Sequence, residues 1–254
     1  MYSLIDLTGK TILVVGASQG IGRQTAITLS EIGARCILIA RNEEKLKGVL
    51  EELDGTGHGY RCLDVSDMAA IEPCVKDIVA EYGHLDGMVY ASGVTNDRPL
   101  NLLTPEIVDV TLKTNLEGFL QMVRSITKKN RFNPGMRIVG IASTAALRGT
   151  KAHTVYSASK AGMNGAVQCL AKELKARDIC INTVAPAMIR TAMYEKWYQD
   201  NGEDSLPVKS LNHFQYLGVG EPTDIANAIA FLLSSAASRI SGICLPVDGG
   251  STTN

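Results

Sequence analysis

The feature that most constrains this chain is a short apolar run, Thr11-Ile12-Leu13-Val14-Val15, followed at once by Gly16-Ala17-Ser18-Gln19-Gly20-Ile21-Gly22 and then by a helical stretch. A continuous run rich in β-branched residues suits a strand covered on both faces. Glycines spaced G-x-x-x-G-x-G permit a tight turn, let the backbone approach a ligand closely and allow the helix to pack against the strand. Amide donors at the start of the helix then face an anion such as a pyrophosphate. A strand, a glycine turn and a helix in that order predict a dinucleotide site.

The rest of the chain repeats the alternation. Further strands are predicted at 36–40, 59–63, 85–90, 137–141, 179–184 and 243–247. Helices are predicted at 22–32, 43–53, 67–82, 104–129, 155–176 and 224–233. Regular alternation means a parallel sheet with helices on both faces. We expect a single-domain, Rossmann-type, doubly wound α/β fold of about seven strands over residues 1–254. Ligands in such sheets sit beyond the carboxyl ends of the strands, so the chemistry belongs to residues that follow the apolar runs.

Composition excludes several classes. With 254 residues, 45% hydrophobic and 20% charged, the chain reads as globular rather than disordered. A formal charge of −1 argues against a nucleic-acid partner held by bulk electrostatics. No apolar run is long enough for a bilayer, and Met1–Asp6 has no basic n-region, so we expect no membrane association and a cytoplasmic setting. Six cysteines show neither C-x-x-C nor metal-ligand spacing, so no metal is expected and the thiols read as buried and reduced.

An acidic residue at the end of the second strand would accept from ribose hydroxyls and repel a 2′-phosphate. Here Ala40-Arg41-Asn42 offers a guanidinium instead, which favours NADP(H). Asp64-Val65 follows the third strand, where an adenine ring would lie. In Val155-Tyr156-Ser157-Ala158-Ser159-Lys160, the phenol and the ammonium are four apart and share a helix face. A neighbouring ammonium favours phenolate and makes a usable acid–base. Ser143 follows the fifth strand, thirteen positions before Tyr156, and Asn115 interrupts a helical stretch.

The glycine turn, Asp64-Val65, Asn115, Ser143, Tyr156, Lys160, Asn182-Thr183-Val184-Ala185-Pro186 and Val247-Asp248-Gly249-Gly250 together resemble the short-chain dehydrogenase/reductase family. Within it the chain is most similar to members of the 3-oxoacyl-(acyl-carrier-protein) reductase type. The resemblance implies an oxidoreductase that moves a hydride between NADP(H) and a ketone or secondary alcohol. Tyr156 would protonate the carbonyl oxygen, Ser143 would hydrogen-bond it, Lys160 would hold the nicotinamide ribose, and Asn115 would keep a water in a relay to Lys160. Gly16, Ser18, Gln19, Gly20, Ile21 and Gly22 would line the phosphate turn. Arg41, Asn42, Asp64, Val65, Ala91 and Gly93 would flank the adenosine and ribose, and Ile189 and Thr191 would hold the carboxamide. The resemblance also implies a homo-oligomer, tetramer or dimer, through the helices after the fourth and fifth strands.

Three positions depart from the family pattern. Val15 stands where threonine is usual, Tyr90-Ala91-Ser92-Gly93 replaces Asn-Asn-Ala-Gly, and Pro186-Ala187 replaces Pro-Gly. The first two remove a hydroxyl and both asparagines, so the backbone after the fourth strand must find another partner. Ala187 must use a non-glycine backbone conformation.

Residues 188–218 form the expected substrate lid, with five of the 13 aromatic residues: Tyr194, Trp197, Tyr198, Phe214 and Tyr216. Tyr194, Trp197 and Tyr198 are expected to line the substrate. That substrate is a small-molecule carbonyl compound, with a 3-oxoacyl thioester of acyl-carrier protein or CoA favoured. Lys128, Lys129 and Arg131, and Lys172, Lys175 and Arg177, would suit an acidic carrier, although cations are common at helix C-termini. His153 reads as a loop histidine. The alternatives are a non-catalytic dinucleotide sensor and a catabolic alcohol or sugar dehydrogenase.

Overall fold

The computed structural model describes residues 5–202 and 214–253. Seven parallel strands form one sheet in the order β3-β2-β1-β4-β5-β6-β7. They are β1 (Thr11–Val15), β2 (Arg35–Ala40), β3 (Gly59–Cys62), β4 (Leu85–Tyr90), β5 (Phe132–Ile141), β6 (Cys180–Pro186) and β7 (Cys244–Val247). The helices are α1 (Gly20–Glu31), α2 (Glu43–Glu51), α3 (Met68–Tyr82), α4 (Pro105–Leu112), α5 (Gly118–Ile126), α6 (Thr154–Glu173), α7 (Ala192–Asn201) and α8 (Pro222–Leu233). This is the doubly wound, Rossmann-type arrangement, and the strand order reverses between β1 and β4.

Period-two alternation divides the central strands between two cores. Ile12 and Val14 of β1, with Cys36 and Leu38 of β2, pack toward Ala26 and Leu29 of α1 and Ile225 and Ile229 of α8. Leu13, Val15, Ile37 and Ile39 pack on the other face toward Ile71 and Val75 of α3, Phe119 and Met122 of α5 and Met163 and Val167 of α6. Both faces of β1 are covered, which is why its sequence is apolar throughout.

Helix starts follow local chemistry. Asn42 caps α2, Asp67 caps α3, and Thr104 caps α4 with Pro105 in the first turn. Three expectations shift. The stretch expected to be one helix from 104 to 129 is α4 and α5 joined by a π-helical turn, Lys113–Glu117. β5 begins at Phe132 rather than 137, with a register break between Leu85 and Gly87 of its neighbour. The segment after β6 carries a helix, α7, that the sequence reading did not define. The cysteines also divide: Cys36 is buried, and burial pushes its thiol up to about 12, but Cys62 and Cys169 are exposed. Among the described residues no helix is long and apolar enough to cross a membrane, and no cluster of His, Cys, Asp and Glu is placed to hold a metal.

Candidate active site

The glycine turn closes backbone on backbone. Gly16 has φ +89°, and a Cβ there would lie 2.5 Å from the Ser92 amide nitrogen and 2.7 Å from the Ala91 carbonyl carbon. A Cβ on Gly22 would lie 2.1 Å from the Gly16 oxygen. The amides of Gly16 and Ala17 both donate to the Ile39 carbonyl, at 2.7 and 3.1 Å, tying the turn to β2. The N-cap of α1, Gln19, makes no side-chain cap, and the first turn has no acidic residue. The first donors of α1 therefore keep the character of an anion site, which fits a pyrophosphate.

Beside this turn lie two cations. Arg41 is exposed, with Nη1 3.7 Å from Asp64 Oδ2, a loose surface pair. Burial works against the Asp64 charge, but hydrogen bonds from Ser66 and the Arg41 guanidinium hold its carboxyl below the ordinary value. The Asn42 side chain is committed to capping α2, accepting from the Lys45 amide at 2.8 Å. Lys45 was not singled out from the sequence, yet its Nζ donates to Gln19 Oε1 at 3.0 Å and links α2 to the phosphate turn. The available signal was a lysine in a helix's first turn, where the dipole disfavours a cation unless something else recruits it.

Tyr156 and Lys160 sit on α6, with Lys160 Nζ 5.9 Å from the centre of the phenol ring. Lys160 is buried and donates to the Ile141 carbonyl at 2.7 Å. Burial lowers its ammonium from 10.5 to about 8. The expectation of a depressed Tyr156 is not met in the structure. Burial raises the phenol above its ordinary value and outweighs the hydrogen bond with Ser143 that favours ionisation, and Asp97 adds to the rise. Ser143 opens a short 3-10 turn, accepting from the Ala145 amide at 3.1 Å. His153 is more than a loop residue: its ring is edge-on to Tyr156 at 6.0 Å between centres, and Nε2 is 3.1 Å from Asp97 Oδ1.

Asn115 is fully buried in the π turn. Its Oδ1 accepts from the Val94 amide at 2.8 Å, and Nδ2 donates to the Val94 carbonyl and to Ser159 Oγ, both at 3.0 Å. Ser159 in turn donates to the Tyr156 carbonyl at 2.7 Å. The amide thus braces the loop after β4 against the helix that carries Tyr156 and Lys160. Gly93 lies between them, where a Cβ would be 3.2 Å from Lys160 Nζ. The backbone partner that the Val15 and Tyr90-Ala91 departures called for is the Val15 carbonyl, which accepts from the Ala91 amide at 2.7 Å. Val65 is buried beside Asp64.

After β6, Ala187 needs no left-handed conformation. Met188 is held by Gln215, whose side-chain amide accepts from the Met188 amide and donates to its carbonyl, both at 3.1 Å. Ile189 is buried and bridges to Gly220, and Thr191 caps α7 with its methyl near Gly20. Of the expected substrate residues, Tyr194 is buried, with its ring tilted against Trp197 and Tyr198 at 6.2 and 5.8 Å between centres and covered by Arg190. It anchors α7. Part of the expected lid, 203–213, lies outside the described residues. Three members of the basic clusters are engaged elsewhere: Lys128 and Arg131 both donate to Glu72, and Arg177 donates to the Thr127 carbonyl.

Comparison with known proteins agrees with this fold. Residues 16–252 match the family described as Enoyl-(Acyl carrier protein) reductase. The chain is 33% identical over 252 residues to L-xylulose reductase of Caenorhabditis elegans, covering 98% of each. It is 34% identical over 246 residues to the 3-oxoacyl-(acyl-carrier-protein) reductase of Escherichia coli (strain K12), covering 97% of this chain and 98% of that one. A short chain dehydrogenase from Burkholderia cenocepacia, solved in complex with NADP, superposes with a TM-score of 0.88 at 28% identity, over 96% of this chain and 98% of the other.

Proposed function

The chain belongs to the short-chain dehydrogenase/reductase family of oxidoreductases, and from that premise we propose that it is an NADP(H)-dependent reductase of ketones acting through Tyr156. The observation that carries this reading is the buried Lys160. An ammonium held away from water with its pKa lowered to about 8 costs stability, and such a charge is kept where chemistry uses it. It stands beside a phenol bonded to Ser143, at the carboxyl ends of the strands.

Bound nicotinamide would supply the hydride. The residues that would hold the cofactor are the 16–22 turn and the start of α1 for the pyrophosphate, Arg41 and Lys45 for a 2′-phosphate, Asp64 and Val65 for adenine, and Ile189 and Thr191 for the carboxamide. Tyr156 gives its proton to the carbonyl oxygen as the alcohol forms, and Ser143 donates a hydrogen bond to that oxygen. Lys160 favours the phenolate left behind. Asn115 and Ser159 keep α6 in register with the loop after β4, and the backbone of the widened turn is where a relay water would bind.

The favoured substrate is a 3-oxoacyl thioester, in line with the relatives of that activity. A sugar or polyol is the second reading, supported by the polar Asp97–His153 pair against Tyr156 and by the L-xylulose reductase relative. We also propose a homo-oligomer, in which α4 and α6 would cover Val110 and the small residues Ala161 and Gly165 on the outer face. The test is a screen with NADPH and NADH against acetoacetyl-CoA, xylulose, simple ketones and steroids. Oxidation of NADPH with one of these classes, and about tenfold weaker use of NADH, is expected. Tight NADPH binding with no oxidation on any carbonyl would favour the sensor.

A further inference from the structure

We propose that Tyr90, where this chain departs from its family, is a positioning residue that holds the π turn of Asn115 in place for catalysis; the proposal rests on the function argued above. A π-helical turn shifts hydrogen bonding by one residue, and such turns recur at functional sites. Here the Gly118 amide reaches back to the Lys113 carbonyl. The Thr114 carbonyl, next to Asn115, accepts from the Tyr90 hydroxyl at 2.6 Å.

Four observations make this contact a built one. Tyr90 is fully buried, and burial raises its phenol, so it stays a donor at any working pH. Its ring packs edge-on against Phe119 of α5 at 5.5 Å. Gly118 leaves room for it, since a Cβ there would stand 2.5 Å from the Tyr90 oxygen. Finally, Tyr90 ends β4 only four residues before Val94, whose amide and carbonyl both bond the Asn115 side chain. The end of β4 therefore grips the wide turn at two points, from the phenol to Thr114 and from the Val94 backbone to Asn115. The second grip continues through Ser159 to the Tyr156 carbonyl. Loosening the first lets the turn slip by a fraction of an ångström, and this displacement reaches Asn115, Ser159 and Lys160 together.

Tyr90→Phe removes one oxygen and keeps the ring. With NADPH and acetoacetyl-CoA, or whichever carbonyl the screen returns, kcat should fall about tenfold through misplacement. The pH profile of kcat should shift, while the Kd for NADPH stays within about twofold, because the phosphate turn is untouched. Hydrogen exchange of the 113–119 amides should quicken, a readout independent of turnover. Phe119→Leu is the comparator: it removes the ring contact that Tyr90→Phe keeps and leaves the hydroxyl, and should lower Tm without moving the pH profile. A Tyr90→Phe enzyme with unchanged kcat and pH profile overturns the proposal, even with a lowered Tm. So does a parallel loss of kcat and NADPH affinity, which would mean general loosening. If the unaltered protein reduces no carbonyl, the functional reading falls and the catalytic part of this proposal with it; unchanged 113–119 exchange in Tyr90→Phe then removes the positioning role as well.

Discussion

The two ends of the nucleotide crevice are built differently. At the outer end, Arg41 and Lys45 are surface cations, one in a loose 3.7 Å pair with Asp64 and the other reaching Gln19. At the inner end, Asn115, Ser159 and Lys160 are buried, joined to one another or to backbone by bonds of 2.7–3.0 Å. The outer end can select by charge and adapt, because exposed ion pairs contribute little to the fold. The inner end cannot adapt: each polar atom there is desolvated, and a lost partner leaves another one stranded. Under the proposed function, recognition falls where errors are cheap, and proton transfer where geometry is over-determined.

The sharpest break of this contrast is Lys160→Met. Turnover should fall by about a thousandfold or more, since the charge beside the phenol is gone. Stability should move the other way. Between the folded value of about 8 and the ordinary 10.5, the unfolded chain binds more protons, so the Lys160 contribution becomes less unfavourable as pH rises through that window. Below about 8 the cost is fully present, and Met removes it, offset by the stranded Ile141 carbonyl; a net gain of about 1–2 kcal/mol at pH 7 is expected in denaturant unfolding. A variant that loses both turnover and stability would show that Lys160 is structural.

The outer end should respond more gently. Arg41→Ala with Lys45→Ala should raise the Kd for NADPH about thirtyfold and leave NADH nearly unchanged, with the protein folded as before. Rising salt should weaken NADPH binding to the unaltered protein and have less effect on the double variant. Equal losses for both nucleotides would remove the 2′-phosphate role.

The smallest effect belongs to a third, purely structural cluster. Glu72 accepts from Arg131, Lys128 and Ser125, and these, Arg131 first, hold its carboxyl at about 2 instead of 4.5. Its stabilisation is present above about 4.5 and is lost as pH falls from there toward 2. The carboxylate is 42% exposed, so Glu72→Gln should cost under about 1 kcal/mol near neutrality and flatten the acid limb of Tm against pH. A larger loss at pH 7 would mean that the cluster is more rigid than its exposure implies.

These regions also differ in how far they could be read from residues alone. The sheet and its glycine turn were legible because burial on both faces leaves a local mark, as in Thr11–Val15, and because Gly16 and Gly22 sit where any Cβ would strike backbone. Tyr156 and Lys160 were legible because four residues make one helix face. What escaped depends on distant elements. The π turn at 113–117 was marked in the sequence only by Asn115 interrupting a helical stretch, and its contact from the Tyr90 hydroxyl to the Thr114 carbonyl comes from a distant strand. The Tyr156 environment was misjudged in sign because burial, a tertiary property, outweighs the Ser143 hydrogen bond, and Asp97 adds to the rise. Tyr194 is expected to line the substrate as one of a cluster of aromatic residues, and its burial against Trp197 and Tyr198 is a tertiary property with no local mark. Gln215 and Lys45 act through single side-chain bonds to Met188 and Gln19, contacts with no periodic signature.

The most direct test of the whole account follows one atom. NADPH bearing deuterium at its transferable position is given to the protein with acetoacetyl-CoA, or with the carbonyl the screen returns, and the product is weighed by mass spectrometry. The account predicts one deuterium at the new carbinol carbon, and a loss of that transfer by about a thousandfold or more in Tyr156→Phe while the variant still binds NADPH. Undiminished transfer in Tyr156→Phe would contradict it.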